Sequence, residues 1–246
     1  ETGWLFHAAA DAAGAEKFAR AFNSPVYVIC DPDWYVNRTD SFARAAVAGA
    51  AEYGTYDDWA LTAVHEDFSK GERNYSWDSS IPVEREKYDE YGVWHFGDGS
   101  KGGGMWYFSQ FGEFDVSYTL LLHGARIGDP MFWVRGEENA RHIMGVPAHE
   151  GGYGHQWAES SHNWSRGLGL YYMMTGLYEA REALVDWLGV FHIKTSQGEF
   201  HNKNNAWRFN GRNAAWAIRG LWNMYDLTGE KKYLVELDRG LKAVRK

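Results

Sequence analysis

The sequence is poor in features that would define its class at once. Cys30 is the one cysteine among 246 residues, which excludes an internal disulfide and a cysteine-based metal site. No apolar run approaches the roughly 20 residues that a membrane helix needs. Positive charge is scarce, since 25 Lys and Arg stand against 33 Asp and Glu. The resulting net charge of −8 argues against nucleic acid as a partner.

Aromatic residues, in contrast, are abundant. They make up 17% of the chain, with 13 Trp and 15 Tyr. Aromatic side chains fill cores efficiently, but Trp at this density exceeds what packing usually requires. Since sugar-binding clefts use indole faces as stacking platforms, the composition fits either an aromatic core or a carbohydrate-binding groove.

One helical design occurs three times in the second half of the chain. Each copy has an apolar helix, then a glycine with a polar partner, and then a second helix with charges on one side. The polar residue after the glycine is predicted to start the second helix. The turn glycines are Gly128, Gly176 and Gly229, about 50 residues apart. Glycine suits the left-handed conformation that ends a helix. The repeat therefore predicts helical hairpins.

We predict a mostly α protein with an α/α toroid, in which the apolar helix of each pair lies inside and the amphipathic helix outside. The inner helices should start near Asp115, His162 and Asn213. Residues 113–246 hold the three pairs, and the irregular residues 1–110 join them in one domain. An open solenoid is the alternative. Because the last residues still read as helix, we expect part of a larger barrel, whose apolar edge is covered by further segments or another chain.

A site is predicted where the connecting loops are long. The loops before the inner helices are rich in Gly, His, Asn, Arg, Trp and Tyr, and the connections at the other end are short turns. Helix N-termini favour anions, and function usually lies on such loops. The candidates for proton transfer are His149, Tyr153, His155 and His162, and those for substrate binding are Glu113, Asp115, Trp157, Trp164, Arg166, Asn204, Asn205, Trp207, Arg208 and Arg212.

Several polar residues also have a structural interpretation. Glu113 and Asp115 precede a helix, where carboxylates commonly act as caps. His142 in an outer helix is predicted to be structural, and His123 in an apolar stretch is predicted to lie in the core or to support a site residue from behind. The three histidines of the loop at 148–164 lack the spacing of a helical zinc motif and would bind a divalent metal only if the loop folded back. We predict no cofactor.

The stretch "GGYGH" holds the predicted proton-transfer pair, Tyr153 and His155. Glycines on both sides of Tyr153 give the backbone freedom to turn both side chains into a cleft. If the stretch is extended, residues two apart lie on one side. His162 and Arg166, four residues apart, would share a helix face and anchor a carboxylate near the helix N-terminus.

Three stretches carry a family resemblance: "YGVWHFGDG", "FGEFDVSYTLLLHGARIGDPMFWVRGEENARHIM" and "SHNWSRGLGLYYMMTG". Together they resemble the toroid segment of the exo-rhamnogalacturonan lyase family of secreted polysaccharide-degrading proteins. The resemblance covers roughly residues 88–176. It implies an α/α toroid, a secreted or periplasmic location and a polysaccharide substrate.

A lyase of this kind cleaves uronic-acid chains by β-elimination. A base removes the proton at C5, an acid protonates the departing O4, and a cation or donor offsets the carboxylate charge. His and Tyr suit the proton transfers. We therefore predict a lyase acting on a rhamnogalacturonan- or ulvan-like polysaccharide. The alternatives are a glycoside hydrolase with a carboxylate pair drawn from Glu113, Asp115, Glu150 and Glu159, and a non-catalytic carbohydrate-binding module.

Overall fold

The computed structural model describes residues 13–14, 17, 29–39, 45–49, 54–64, 115–145, 165–201 and 211–244. Within these ranges the regular secondary structure is helical and includes no β-strand. The prediction of a mostly α protein is therefore confirmed for this part of the chain. None of the helices in these ranges is long and apolar enough to cross a membrane.

Nine α-helices lie in the described ranges. They are α1 (Pro32–Asn37), α2 (Gly54–Val64), α3 (Val116–Ile127), α4 (Pro130–Ile143), α5 (Arg166–Thr175), α6 (Tyr178–Glu182), α7 (Gly189–His201), α8 (Gly211–Thr228) and α9 (Lys231–Val244). A π-helical segment, Ala183–Leu188, joins α6 to α7 without a break. Among the described residues, α3–α4, α5–α6 and α8–α9 are the predicted helix pairs.

The turn within each pair lies at the predicted glycine. Gly128, Gly176 and Gly229 have φ values of 79°, 66° and 69°, a backbone conformation that strains an L side chain. Their backbone nitrogens donate to the carbonyls four residues earlier, those of Gly124, Tyr172 and Tyr225. The predicted left-handed helix ends are therefore confirmed.

The residues around these glycines close the turns in two ways. In the first turn, Asp129 caps α4 by accepting a hydrogen bond from the backbone nitrogen of Met131 at 2.8 Å. In the other two turns, the hydroxyls of Thr175 and Thr228 donate to carbonyls four residues back and accept from nitrogens two residues ahead. The prediction that a polar residue after the glycine starts the second helix is wrong for the second turn, where Leu177 follows Gly176 and makes no side-chain capping bond.

One large core joins the three pairs. The first helices pack side by side, α3 against α5 and α5 against α8, and α3 also packs against α4. Leu121, Leu168, Leu184, Leu221 and Tyr233 lie fully buried in this core. The prediction that the first helices are buried does not hold for the last turn of α5, where the side chain of Met173 is 63% exposed.

Helices pass closely where glycine replaces a side chain. A Cβ at Gly136 of α4 would lie 2.7 Å from Leu121, and a Cβ at Gly220 of α8 would lie 2.5 Å from the ring of His192 in α7. His192 is fully buried, and burial lowers its pKa to about 4. A neutral imidazole against a bare helix backbone is therefore part of the core between α7 and α8.

A buried ion pair holds the described part of the N-terminal third to α3. Arg126 contacts the carboxylate of Asp57 in α2 at 3.0 Å and donates to the carbonyl of Ala46 at 2.6 Å. It also donates to Nδ1 of His123 at 3.0 Å. Burial, and then the charge of Arg126, lower the pKa of His123. His123 thus has the structural surroundings that the sequence predicted.

Candidate functional site

Few of the predicted site residues lie in the part of the chain that the structure describes. Asp115, Arg166 and the backbone of Arg212, in the first turn of α8, belong to the described part of the chain. The following lie outside it: Glu113, His149, Glu150, Tyr153, His155, Trp157, Glu159, His162, Trp164, Asn204, Asn205, Trp207 and Arg208. Their roles stay predictions. The described part of the second inner helix begins at Arg166, after the predicted start near His162.

The N-termini of α3 and α5 meet at one hydrogen bond, and we call this contact the helix-start junction. Asp115 precedes α3, and its Oδ1 accepts from the backbone nitrogen of Gly167 in α5 at 3.0 Å. The hydroxyl of Ser117 lies 3.5 Å from the same oxygen. The carboxylate therefore joins the starts of two helices through residues that are 52 positions apart in sequence.

Glycine at position 167 allows this junction to form. A Cβ there would collide with the hydroxyl of Ser117, with Oδ1 of Asp115 and with the backbone nitrogen of Tyr118. Asp115 itself has a left-handed backbone, with φ and ψ both at 53°. Among residues with a side chain, Asp and Asn adopt this conformation most readily. Both residue types thus fit the backbone of the junction.

The carboxyl group of Asp115 is buried, with an exposed fraction of 1%. Burial raises its pKa to about 6, although the charges of Arg219 and Arg166 and the backbone N–H groups of Gly167 and Tyr118 act in the opposite direction. Its Oδ2 finds no hydrogen-bond donor among the residues that the structure describes. A group that changes charge near neutral pH therefore lies just beneath the helix starts.

Arg166 provides an exposed positive charge at the junction. It is the first residue of α5, and its guanidinium lies 4.0 Å above the centre of the Tyr118 ring in α3. Such a cation–π contact orients the guanidinium while leaving its N–H groups available. Ser165 alone separates Arg166 from the stretch at 148–164 that carries the predicted histidines, so this stretch leads into the junction.

The sequence anticipated part of this arrangement. It allowed Asp115 as a helix cap or as a substrate contact, and the structure places the side chain beneath the surface, bonded to the start of a neighbouring helix. The partner Gly167 was missed because the contact is non-local. So were Tyr118 and Arg219. The glycines of "RGLGL" at the start of an otherwise apolar helix could have indicated that another helix approaches closely there.

A second polar cluster joins α4 to α5 away from the helix starts. The hydroxyl of Tyr171 donates to Glu137 at 3.0 Å, and Arg141 donates to the same carboxylate at 2.8 Å. Burial, and then the charge of Glu137, raise the pKa of Tyr171 to about 12, so the phenol stays protonated. His142 is buried in the same helix, as predicted for a structural residue. This cluster therefore has a packing role.

Comparisons with known proteins do not assign the chain to a family: no protein-family model, no curated protein and no solved structure matches it. In the described ranges, no group of three or more His, Cys, Asp or Glu side chains is arranged to hold a metal ion. The function must therefore be inferred from the residues and geometry of this chain.

Proposed function

We propose that the protein is a polysaccharide lyase that cleaves a uronic-acid-containing polysaccharide, of rhamnogalacturonan or ulvan type, by β-elimination. The helix-start junction is the observation that supports this most. It puts the exposed guanidinium of Arg166 at the N-terminus of α5 and at the end of the loop with the predicted His and Tyr residues. The proposal places the predicted proton carriers of this loop at the same end of the molecule as the cation and the helix N-terminus.

The proposed architecture is an α/α toroid in a secreted or periplasmic protein. The side-by-side packing of α3, α5 and α8 supports this arrangement, because the first helices of successive pairs line the inside of a toroid. The second helices would form the outside. The long loops before α5 and α8 would then open on the same face as the helix-start junction.

The proposed chemistry needs no cofactor. Arg166 binds the uronate carboxylate and offsets its charge, which makes the C5 proton more acidic. One member of the Tyr153 and His155 pair takes that proton, and the electron pair forms a C4–C5 double bond. The C4–O4 bond breaks, and O4 takes a proton from the other member of the pair. The products are an unsaturated uronate end and a free hydroxyl.

The buried position of Asp115 bears on the rival hydrolytic mechanism. A glycoside hydrolase needs two carboxyl groups that flank the scissile bond. A side chain that is 1% exposed and bonded to Gly167 does not flank a bound polymer. Hydrolysis would have to use two of Glu113, Glu150 and Glu159, and we therefore favour the lyase.

The test is an ultraviolet absorbance assay over a panel of uronic-acid polysaccharides, with reducing ends counted in parallel. We expect an unsaturated product, and Tyr153→Phe should lower turnover by about 10²–10⁴-fold. Tyr178→Phe is the matched control, because this exposed tyrosine begins α6 at the opposite end of its helix pair. New reducing ends without absorbance would indicate a hydrolase, and binding without cleavage a binding module. Either result would overturn the proposal.

A further inference from the structure

We propose that Asp115 is a positioning residue of this site, which holds the N-terminus of α5, and through it Arg166, where the substrate carboxylate is received. This inference rests on the proposed function for the role of Arg166. The underlying contact, from Asp115 to Gly167, can be tested without any substrate.

Among the described residues, the N-terminus of α5 has no side-chain cap from its own chain segment. The first N–H groups of a helix have no acceptor inside the helix and need a cap. Ser165, which precedes α5, makes no side-chain capping bond. The nitrogen of Gly167 instead donates to Asp115 of the neighbouring pair at 3.0 Å. The start of α5 is therefore fixed from outside, by α3.

Arg166, the residue next to Gly167, is held in place by α3. Its backbone is held through the bond from Gly167 to Asp115, and its guanidinium rests on the ring of Tyr118. Both supports come from the N-terminal end of α3, from its N-cap residue Asp115 and from Tyr118 in its first turn. A shift of the α5 start would therefore move the guanidinium away from the place defined by α3. A displacement of about 1 Å at a reacting group can cost about 100-fold in rate.

The burial of the Asp115 carboxyl group costs folding free energy. A buried carboxylate oxygen without a donor destabilises the folded state, whereas a local Ser or Thr cap satisfies a helix start without burying a charge. Oδ2 of Asp115 is a buried oxygen of this kind, with no donor among the described residues. The side chain of Asp115 is too buried to touch a polymer on the surface. Its placement therefore fits a residue that acts through Arg166.

The experiment is a double-mutant cycle on kcat/KM with Asp115→Gly and Arg166→Ala. Glycine accepts the positive φ of position 115, so the first variant removes the carboxylate without adding backbone strain. We expect a loss of about 10–100-fold from Asp115→Gly alone and a further loss below about 2-fold in the Arg166→Ala background. Asp115→Asn, which keeps an acceptor and tolerates this backbone, should restore most of the activity.

The matched control is Asp129→Gly. This residue also caps a helix, by accepting from Met131, but at the turn end of the first pair. It should leave kcat/KM unchanged in both backgrounds. Equal losses from Asp115→Gly with and without Arg166 would overturn the inference, because they would show that Asp115 does not act through Arg166.

Hydrogen exchange of the Gly167 amide separates the two proposals. Asp115→Gly should speed this exchange at least about 10-fold relative to the amide of Leu221 in the core of α8, and Asp115→Asn and Asp129→Gly should not. Unchanged Gly167 exchange in Asp115→Gly would overturn the inference even in an active enzyme. Absence of any unsaturated product from the wild type would overturn the proposed function and leave the exchange result interpretable.

Discussion

The two ends of the helix pairs are built in different ways. At the turn end, each first helix closes on a glycine with positive φ, and its closing hydrogen bonds join residues two to four positions apart. At the start end, α3 and α5 share one carboxylate, and the bond from Gly167 to Asp115 joins residues 52 positions apart. Local hydrogen bonds thus close the turn end, and a non-local hydrogen bond connects two helices at the start end.

The difference also appears in energetic cost. The turn end satisfies its backbone with glycines and with the hydroxyls of Thr175 and Thr228. The start end buries a carboxyl group of raised pKa, and one of its oxygens has no donor among the described residues. Proteins tend to break local rules of this kind at functional sites. The comparison therefore favours the start end as the site and the turn end as a folding element.

Gly167→Ala should be the most damaging change at the start end. The new methyl group would collide with Ser117 and Asp115 and with the backbone of α3, so α5 would have to move away. We expect the free energy of unfolding to fall by about 3 kcal/mol, at the upper end for overpacking in a core. Urea denaturation measures this change.

Gly169→Ala, two residues further along the same helix, is the control. A Cβ there would meet Leu227 at 3.8 Å, an ordinary contact. Alanine also favours a helix over glycine by about 1 kcal/mol. This variant should therefore be as stable as the wild type or more so. A Gly167→Ala protein as stable as Gly169→Ala would show that the two helix starts are not in close contact.

The sequence predicted the turn end well because its determinants are local. Gly128, Gly176 and Gly229 each follow an apolar helix, and only the left-handed conformation of glycine ends such a helix so tightly. The helical class follows from the same periodic pattern. Both predictions depend on neighbours within a few positions, which are visible in the sequence.

The start end was less predictable because its contacts cross between pairs. The start of α3 was predicted within one residue, since Asp115 is a familiar residue before a helix. The described start of α5 comes after the predicted one near His162, because no local cap marks Ser165 and the capping group belongs to α3. The contact between Arg166 and Tyr118 likewise depends on how two helices pack, and the spacing of residues in the sequence does not predict it.

The buried carboxyl group should make stability depend on pH. Asp has a pKa of about 3.9 in an unfolded chain, whereas burial raises the pKa of Asp115 to about 6 in the folded protein. The stabilisation from the protonated form is fully present below pH 4 and is lost as the pH rises through 6. Arg166 and Arg219 are the charged neighbours of this carboxyl group from α5 and α8.

Asp115→Asn isolates this effect, because the amide cannot ionise. The stability of the wild type relative to this variant should fall by at most about 3 kcal/mol between pH 4 and pH 7, with most of the fall below pH 6. Urea denaturation of both proteins at each pH measures the difference, in which other titrating groups cancel. A difference that does not change with pH would mean that Asp115 ionises as an exposed carboxyl group does.

The smallest effect should come from the hydroxyls of the turn end. Thr228→Val keeps the shape of the side chain but removes the bonds to the carbonyl of Met224 and from the nitrogen of Glu230. We expect a loss of about 1 kcal/mol in the free energy of unfolding. Thr175→Val should cost less, about 0.5 kcal/mol, because Thr175 is exposed and water can replace its bonds. Thr228→Ser, which keeps the hydroxyl, is the control.

These two losses should add in the double variant, since the two turns share no hydrogen-bond partner. Neither variant should change the exchange rate of the Gly167 amide or the kcat/KM on a cleaved polysaccharide, because their bonds end within their own turns. If Thr228→Val slowed cleavage as much as Asp115→Gly, the turn end would be coupled to the site. The division between a folding end and a functional end would then have to be abandoned.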